Sequence, residues 1–238
     1  MNTTIRTIAA LAALASMAAT GTVLANSGSV SQLSGTLSVK KADGSVRILS
    51  SKSEIRSGDQ LNTEKDSYAQ IKFSDGGQIT MKPNTVIKID NFSFDGQRPK
   101  EDSFLFSLVK GGMRAVTGLV GKRGDKDAYR MGTATATVGI RGTTYSADDC
   151  VSDRGGDCGR IEPAVYVSVA DGEIVVRNEN GEQAYTAGQF GLIAPNQRPL
   201  FLSTDPGLQF TPPASFIQSV QAGSVVNSGK NLECVVRR

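Results

Sequence analysis

Residues 133–145 read Thr133-Ala-Thr-Ala-Thr-Val-Gly-Ile-Arg-Gly-Thr-Thr-Tyr145. Successive side chains of a strand point to opposite faces, so Ala134, Ala136, Val138 and Ile140 share one face and Thr133, Thr135 and Thr137 the other. Arg141-Gly142-Thr143 then interrupts the alternation. Gly142 suits a bulge, a sharp bend or the close approach of another backbone. Arg141 falls on the threonine face, where its guanidinium can bond several carbonyls or one carboxylate and lock the corner. The stretch reads as a core strand ending in a glycine-enabled bend.

The chain on either side has the same texture. Leu37 and Val39 alternate with Ser38 and Lys40, Asp43-Gly44 turns the chain, and Val46 and Ile48 resume the alternation. Alternating runs about an Asp-Gly pair are a strong hairpin signal. It recurs at Ala69-Ile71-Phe73, Asp75-Gly76-Gly77 and Ile79-Met81, where Pro83 ends the strand because it cannot donate to a ladder. Strands follow at Val86–Asn91, Phe92–Phe94 and Phe104–Val109. Val165, Val167 and Val169 then lead into an Asp171-Gly172 turn, and Ile174–Arg177 into Asn180-Gly181. Turn signals at intervals of roughly 10–12 residues predict an all-β sandwich or roll of short antiparallel strands.

Two stretches resemble each other. Gly35-Thr-Leu37-Ser-Val39-Lys40 before Asp43-Gly44 parallels Gly172-Glu-Ile174-Val-Val176-Arg177 before Asn180-Gly181. Each then meets a second glycine, Gly58 in the first and Gly188 in the second, which predicts one pseudo-repeat unit at each end of a single β domain. Pro195, Pro199, Pro206, Pro212 and Pro213 change the texture, so residues 196–238 read as an extension, with one short helix over Ala214–Ala222.

The N-terminus reads as an export signal. Met1–Arg6 is weakly positive, Thr7–Ala19 is an apolar run, and Val23-Leu24-Ala25 predicts cleavage after Ala25. The run falls short of the roughly 20 residues a membrane span needs. No Cys follows the cleavage site, which argues against a lipid anchor. The expected organisation is a signal peptide over 1–25, a β domain over 26–195 and an extension over 196–238, in a periplasmic or secreted protein. Loss of Arg6 with the signal lowers the net charge from +3 to +2, which gives no reason to expect nucleic acid or an anionic membrane as partner.

Three cysteines in an oxidising compartment allow a local disulfide between Cys150 and Cys158, eight residues apart, although pairing of Cys234 with either stays open. The sequence has no His and no Trp. Ser-His-Asp and Cys-His nucleophiles and the usual His-containing zinc sites are therefore excluded.

The Thr133–Tyr145 stretch resembles the central signature of FecR-type domains, a Thr/Ala strand running into a (V/I)RGT turn and an aromatic residue. Thr137, Gly139, Arg141, Gly142 and Thr143 are the motif residues, with a structural role. Other landmarks agree in order: Gly58-Asp59-Gln60-Leu61, Asp75-Gly76, Lys110-Gly111-Gly112, Val169–Val176 and Ala187-Gly188-Gln189. The resemblance runs over residues 33–192. The best-known members of that family are inner-membrane regulators of iron-citrate uptake, with a cytoplasmic anti-sigma segment, one membrane helix and a periplasmic FecR domain. This chain is more similar to stand-alone exported FecR-domain proteins. The resemblance implies a fold and a binding role, with no catalytic residue, cofactor or metal.

Other constellations have plainer readings. Asp148, Asp149, Asp153 and Asp157 could gather calcium ligands, but their spacing matches no standard loop. Gly118–Lys122 lacks the residues of a phosphate loop, and Arg123-Gly124-Asp125 reads as a charged turn. Adjacent acids such as Glu101-Asp102 do not present the facing carboxyls, about 5–10 Å apart, of a glycosidase. The expected function is a non-catalytic module that binds a protein partner of the cell envelope through a β surface or edge. The second reading is a scaffold that binds cell-wall or other polysaccharide.

Overall fold

A computed structural model describes residues 27–125, 127–152, 158–159, 161–208, 210, 212–214 and 216. The predicted signal peptide, Asp153, Asp157 and Cys234 lie outside these residues, as does nearly all of the Ala214–Ala222 segment. The fold is all-β. Strands β1 (Gly28–Ser34), β2 (Leu37–Lys40), β3 (Val46–Leu49), β4 (Glu54–Ile55) and β5 (Gln60–Thr63) lead into β6 (Tyr68–Phe73), β7 (Gln78–Met81) and β8 (Val86–Ser93). A single 3₁₀ turn (Pro99–Glu101) precedes β9 (Ser103–Val116), β10 (Tyr129–Gly132) and β11 (Thr137–Asp149). Then come β12 (Val165–Asn178), β13 (Gly181–Thr186), β14 (Phe190–Ile193) and β15 (Leu200–Leu202).

The strands are not uniformly short, nor uniformly antiparallel. β9, β11 and β12 have 14, 13 and 14 residues, and β10 pairs with β9 in parallel. Each long strand changes neighbours midway. The first half of β9 pairs with β8 and β10, its second half with β7 and β11. β12 pairs with β14 through its first half and β13 through its second, while β11 runs alongside both halves. Strands shared in this way fold the sheet over itself onto one core that extends from Val30 to Ile193. Phe104 sits at the centre of an aromatic cluster, its ring centroid 4.5 Å from Phe73 and 4.9 Å from Tyr129.

The Asp171-Gly172 pair illustrates the device. It is a corner inside β12, where alternation suggested a turn between strands. Gly172 has φ +83°, and a Cβ there would lie 2.6 Å from the Gly142 carbonyl oxygen on β11. Two glycines thus let the two backbones approach closely at the corner, where the β11–β12 register slips.

The hairpin at Asp43-Gly44 forms as expected, but only half of its apolar pattern is buried. The register pairs Ser38 with Ile48 and Lys40 with Val46, which turns Val46 and Ile48 outward at 65% and 71% exposure. Leu49, opposite Leu37, is the β3 residue that enters the core. Strand period is two, so the loop length alone decides which set faces in.

The turn at Gly188, the second landmark of the pseudo-repeat, recurs in the backbone of the first half of the chain. Lys52 N donates to Val30 O (2.7 Å), Val30 N to Ser53 O (2.9 Å) and Ser53 N to Ser50 O (3.0 Å). Gly188 N donates to Val169 O (2.8 Å), Val169 N to Gln189 O (3.1 Å) and Gln189 N to Thr186 O (3.0 Å). Even the side-chain acceptors correspond: Ser53 Oγ takes Ser50 N–H at 3.0 Å and Gln189 Oε1 takes Thr186 N–H at 2.7 Å. Gly58 makes the same pattern: Gly58 N donates to Ile89 O (2.7 Å), Ile89 N to Asp59 O (2.8 Å) and Asp59 N to Arg56 O (3.2 Å), while Asp59 Oδ2 takes Arg56 N–H at 2.9 Å. The Gly188 turn (φ +82°) therefore recurs at Gly58 (φ +87°), as the sequence pairing expects, and also at Lys52 (φ +70°).

Beyond Ile193 the chain does not leave the domain at once. Leu200–Leu202 adds β15 to the edge of β14. Farther on, Phe210 and Phe216 reach Tyr68, with ring centroids 6.4 and 6.0 Å away.

Candidate interaction surface

The motif strand starts later than its sequence suggests. Thr133–Ala136 is a tight turn joining β10 to β11, closed by Thr133 N to Ala136 O (2.9 Å) and Thr133 Oγ1 to the same oxygen (3.0 Å). Regular alternation begins at Thr137, with Val138 and Ile140 buried and Thr137 and Arg141 exposed. Gly142, at φ +60°, then bends the strand, and the register against β12 slips between Arg141 and Thr144.

Thr143 ties this corner together. Its Oγ1 donates to Glu173 O (2.7 Å), its N–H goes to Thr117 Oγ1 (2.8 Å), and Thr117 N donates back to Thr143 O (3.0 Å). Thr143 is buried. Arg141 is half exposed instead, with its nearest guanidinium nitrogen 4.0 Å from Glu173 Oε1. The arginine belongs to the surface, and the threonine supplies the hydrogen bonds expected of it.

On that surface the outward residues of β10–β13 form a shallow groove of about 470 Å³. Gly139, Val175 and Ala184 lie in one cross-strand row on its floor, continued by Arg130. Arg141 and Glu173 form the next row on one side, and Thr137, Arg177 and Glu182 the row on the other. Arg177 Nε donates to Glu182 Oε2 at 2.7 Å. Arg130 makes no ion pair among the described residues, so its charge is presented to solvent. A small floor and a mixed-charge rim can receive charged and hydrogen-bonding groups.

Acidic residues weighed for chemistry are engaged elsewhere. Asp148 bonds Lys82 Nζ at 2.6 Å, with both side chains nearly buried. Asp149 accepts from Val151 N (2.9 Å) and Ser152 N (3.1 Å), capping the turn that leads to the disulfide. Cys150 and Cys158 form that disulfide, with a Cα–Cα distance of 5.6 Å. Among the described residues no cluster of His, Cys, Asp and Glu could hold a metal ion. The Arg123 guanidinium is clamped by Asp102, the carbonyls of Asp95 and Gly96, and the face of Phe94. It is not offered to a partner.

Burial raises Tyr129 and Tyr145 above the ordinary phenol range, and Asp75 adds to the effect at Tyr129. Both stay protonated at physiological pH. Sequence reading missed Thr143 as the tie and the Lys82–Asp148 pair; a buried Thr pair and a Lys–Asp pair 66 residues apart leave no local pattern.

No curated protein matches the sequence significantly. Two crystal structures of a protein described as "a putative anti-sigma factor from Parabacteroides distasonis ATCC 8503" align at 14% identity with a TM-score of 0.46, covering 62% of this chain. This chain spans 60% of their length. A structure described as "Cell surface anchoring domain" aligns at 22% identity over 27% of this chain and 84% of its own, with a TM-score of 0.26. The family model described as FecR protein matches residues 59–175, from the turn before β5 to the middle of β12. The segment over residues 59–175 thus carries a FecR domain.

Proposed function

We propose that this chain is an exported, non-catalytic FecR-domain protein of the cell envelope that binds a protein partner on the exposed face of its motif strand. The signal peptide over 1–25, a β domain over 26–195 and an extension over 196–238 are parts of this reading, as is a periplasmic or secreted location. The observation that carries it is the groove over β10–β13. The family's own motif supplies Gly139 to its floor and Thr137 and Arg141 to its flanks. Its rim of paired and unpaired charges suits a protein surface of complementary charge. The absence of His from the sequence narrows catalytic alternatives, and no helix among the described residues is long and apolar enough to cross a membrane.

A photo-crosslinking residue at Ala184 is the direct test. In intact cells it should capture one defined envelope protein, identified by mass spectrometry. Arg130→Glu with Arg141→Glu should cut that capture about tenfold, as loss of two complementary charges does. Melting should barely move, because exposed charges of this kind contribute under about 1 kcal/mol. Capture unchanged by the double reversal would reject the groove as the contact.

A polysaccharide scaffold is the second reading. It draws on a neighbouring shelf where Thr133, Thr135, Asn178, Asn180 and Asn196 gather hydroxyls and amides. Retention on isolated peptidoglycan, without any protein crosslink, would favour it.

A further inference from the structure

A second concavity lies on a different part of the sheet, beside the chain that follows β15. Its floor is one cross-strand row: Arg114 on β9, Ser146 on β11, Ser168 on β12 and Phe190 on β14. Asp205, Pro206, Leu208 and Phe210, from the chain after β15, complete its lining. The cavity measures about 270 Å³.

The polar groups in it fall into two kinds. Asp148 at one end is already held by Lys82 at 2.6 Å and is electrically matched. Arg114 and Asp205 are not matched by an ion pair among the described residues, to each other or to a third group. One oxygen of Asp205 accepts the Gly207 N–H at 2.8 Å, which orients the carboxylate. The cavity thus offers one cation in a row with two serine hydroxyls, one anion from the segment after β15, and apolar surface from Phe190 and Leu208.

We infer that this cavity binds a free α-amino acid with an apolar side chain. Its carboxylate would meet Arg114 and the Ser146 and Ser168 hydroxyls, its ammonium group Asp205, and its side chain Phe190 and Leu208. A simple anion would gain Arg114 but meet the charge of Asp205, and a simple cation the reverse, so a zwitterion is the ligand that satisfies both charges. The volume lies below the roughly 300–1,000 Å³ of sites for drug-sized ligands, which suits one amino acid and not a glycan chain. This site shares no residue with the groove over β10–β13, so the two readings stand or fall separately.

Isothermal titration of the full chain with L-leucine and L-phenylalanine tests the inference. Saturable binding is expected for at least one. N-acetyl-L-leucine and L-leucinamide, each lacking one charge, should bind about tenfold more weakly, the loss of one charge-assisted contact. Arg114→Met should abolish leucine binding. Asp205→Asn should weaken leucine while leaving N-acetyl-L-leucine unchanged, a pattern that mere loosening of the segment after β15 would not give. Absence of saturable binding by both amino acids, or equal affinity for leucine and its blocked analogues, would overturn the inference.

Discussion

Asp148→Ala is expected to destabilise the domain by about 3–5 kcal/mol, the range for removing one partner of a buried ion pair. Lys82, the residue after β7, reaches Asp148 across β9, a span possible because β9 carries Gly112 between them. A Cβ at Gly112 would lie 2.0 Å from Asp148 Oδ1 and 2.8 Å from Lys82 Cδ. With Asp148 truncated, the ammonium group stays enclosed at 6% side-chain exposure without its nearest anion. Gly112→Ala should do comparable harm by driving the pair apart. Replacing both partners, Lys82→Met with Asp148→Leu, should recover most of the loss, since apolar residues of similar volume substitute well for buried pairs. Denaturant midpoints of the four proteins measure this. A cost below about 1 kcal/mol for Asp148→Ala would show that water reaches the lysine and the pair behaves as a surface contact.

Gly172→Ala should rank next. The residue combines a left-handed backbone, φ +83°, with a Cβ position 2.6 Å from Gly142 O and 3.0 Å from Thr143 Cα. The conformational term alone is about 1–2 kcal/mol, and forcing β11 away adds about 1–3 kcal/mol of strain. Displacing β11 would also stretch the Thr143–Glu173 bond. We expect a total of about 3 kcal/mol or more from these two terms. Gly188→Ala is the control, because φ is nearly the same at +82° but no atom lies within 4 Å of its Cβ. It should lose only about 1–2 kcal/mol. Gly188→Lys should be no worse, since Lys52 occupies the equivalent turn at φ +70°. Equal costs at positions 172 and 188, read from urea unfolding, would mean that the corner relaxes freely.

What was legible in the sequence depended on how local the cause was. Asp75-Gly76-Gly77 and Asn180-Gly181 turn the chain where their conformational preferences dictate, and the buried alternation around the first of them is as read. The outward set of β3 was not legible, because register depends on one residue of loop length. Nor was the corner at Asp171-Gly172, since a glycine that bends a strand and one that ends it look alike in sequence. The motif was recognised as a fold marker, but its tie was assigned to the long charged side chain. The structure gives that work to Thr143, whose role depends on Thr117 and Glu173, both distant along the chain. Lys52 shows the same limit: it takes the left-handed turn that Gly58 and Gly188 take, without the glycine that marks those two in the sequence.

The sharing of β11 has a consequence for recognition. This strand hydrogen-bonds with β9, β10 and β12, so the groove floor cannot shift without breaking ladders on both sides. A ligand surface docking there meets a template already set in its bound shape. Little conformational freedom remains to be frozen from this side, and association should be governed by electrostatic fit and diffusion instead of by rearrangement.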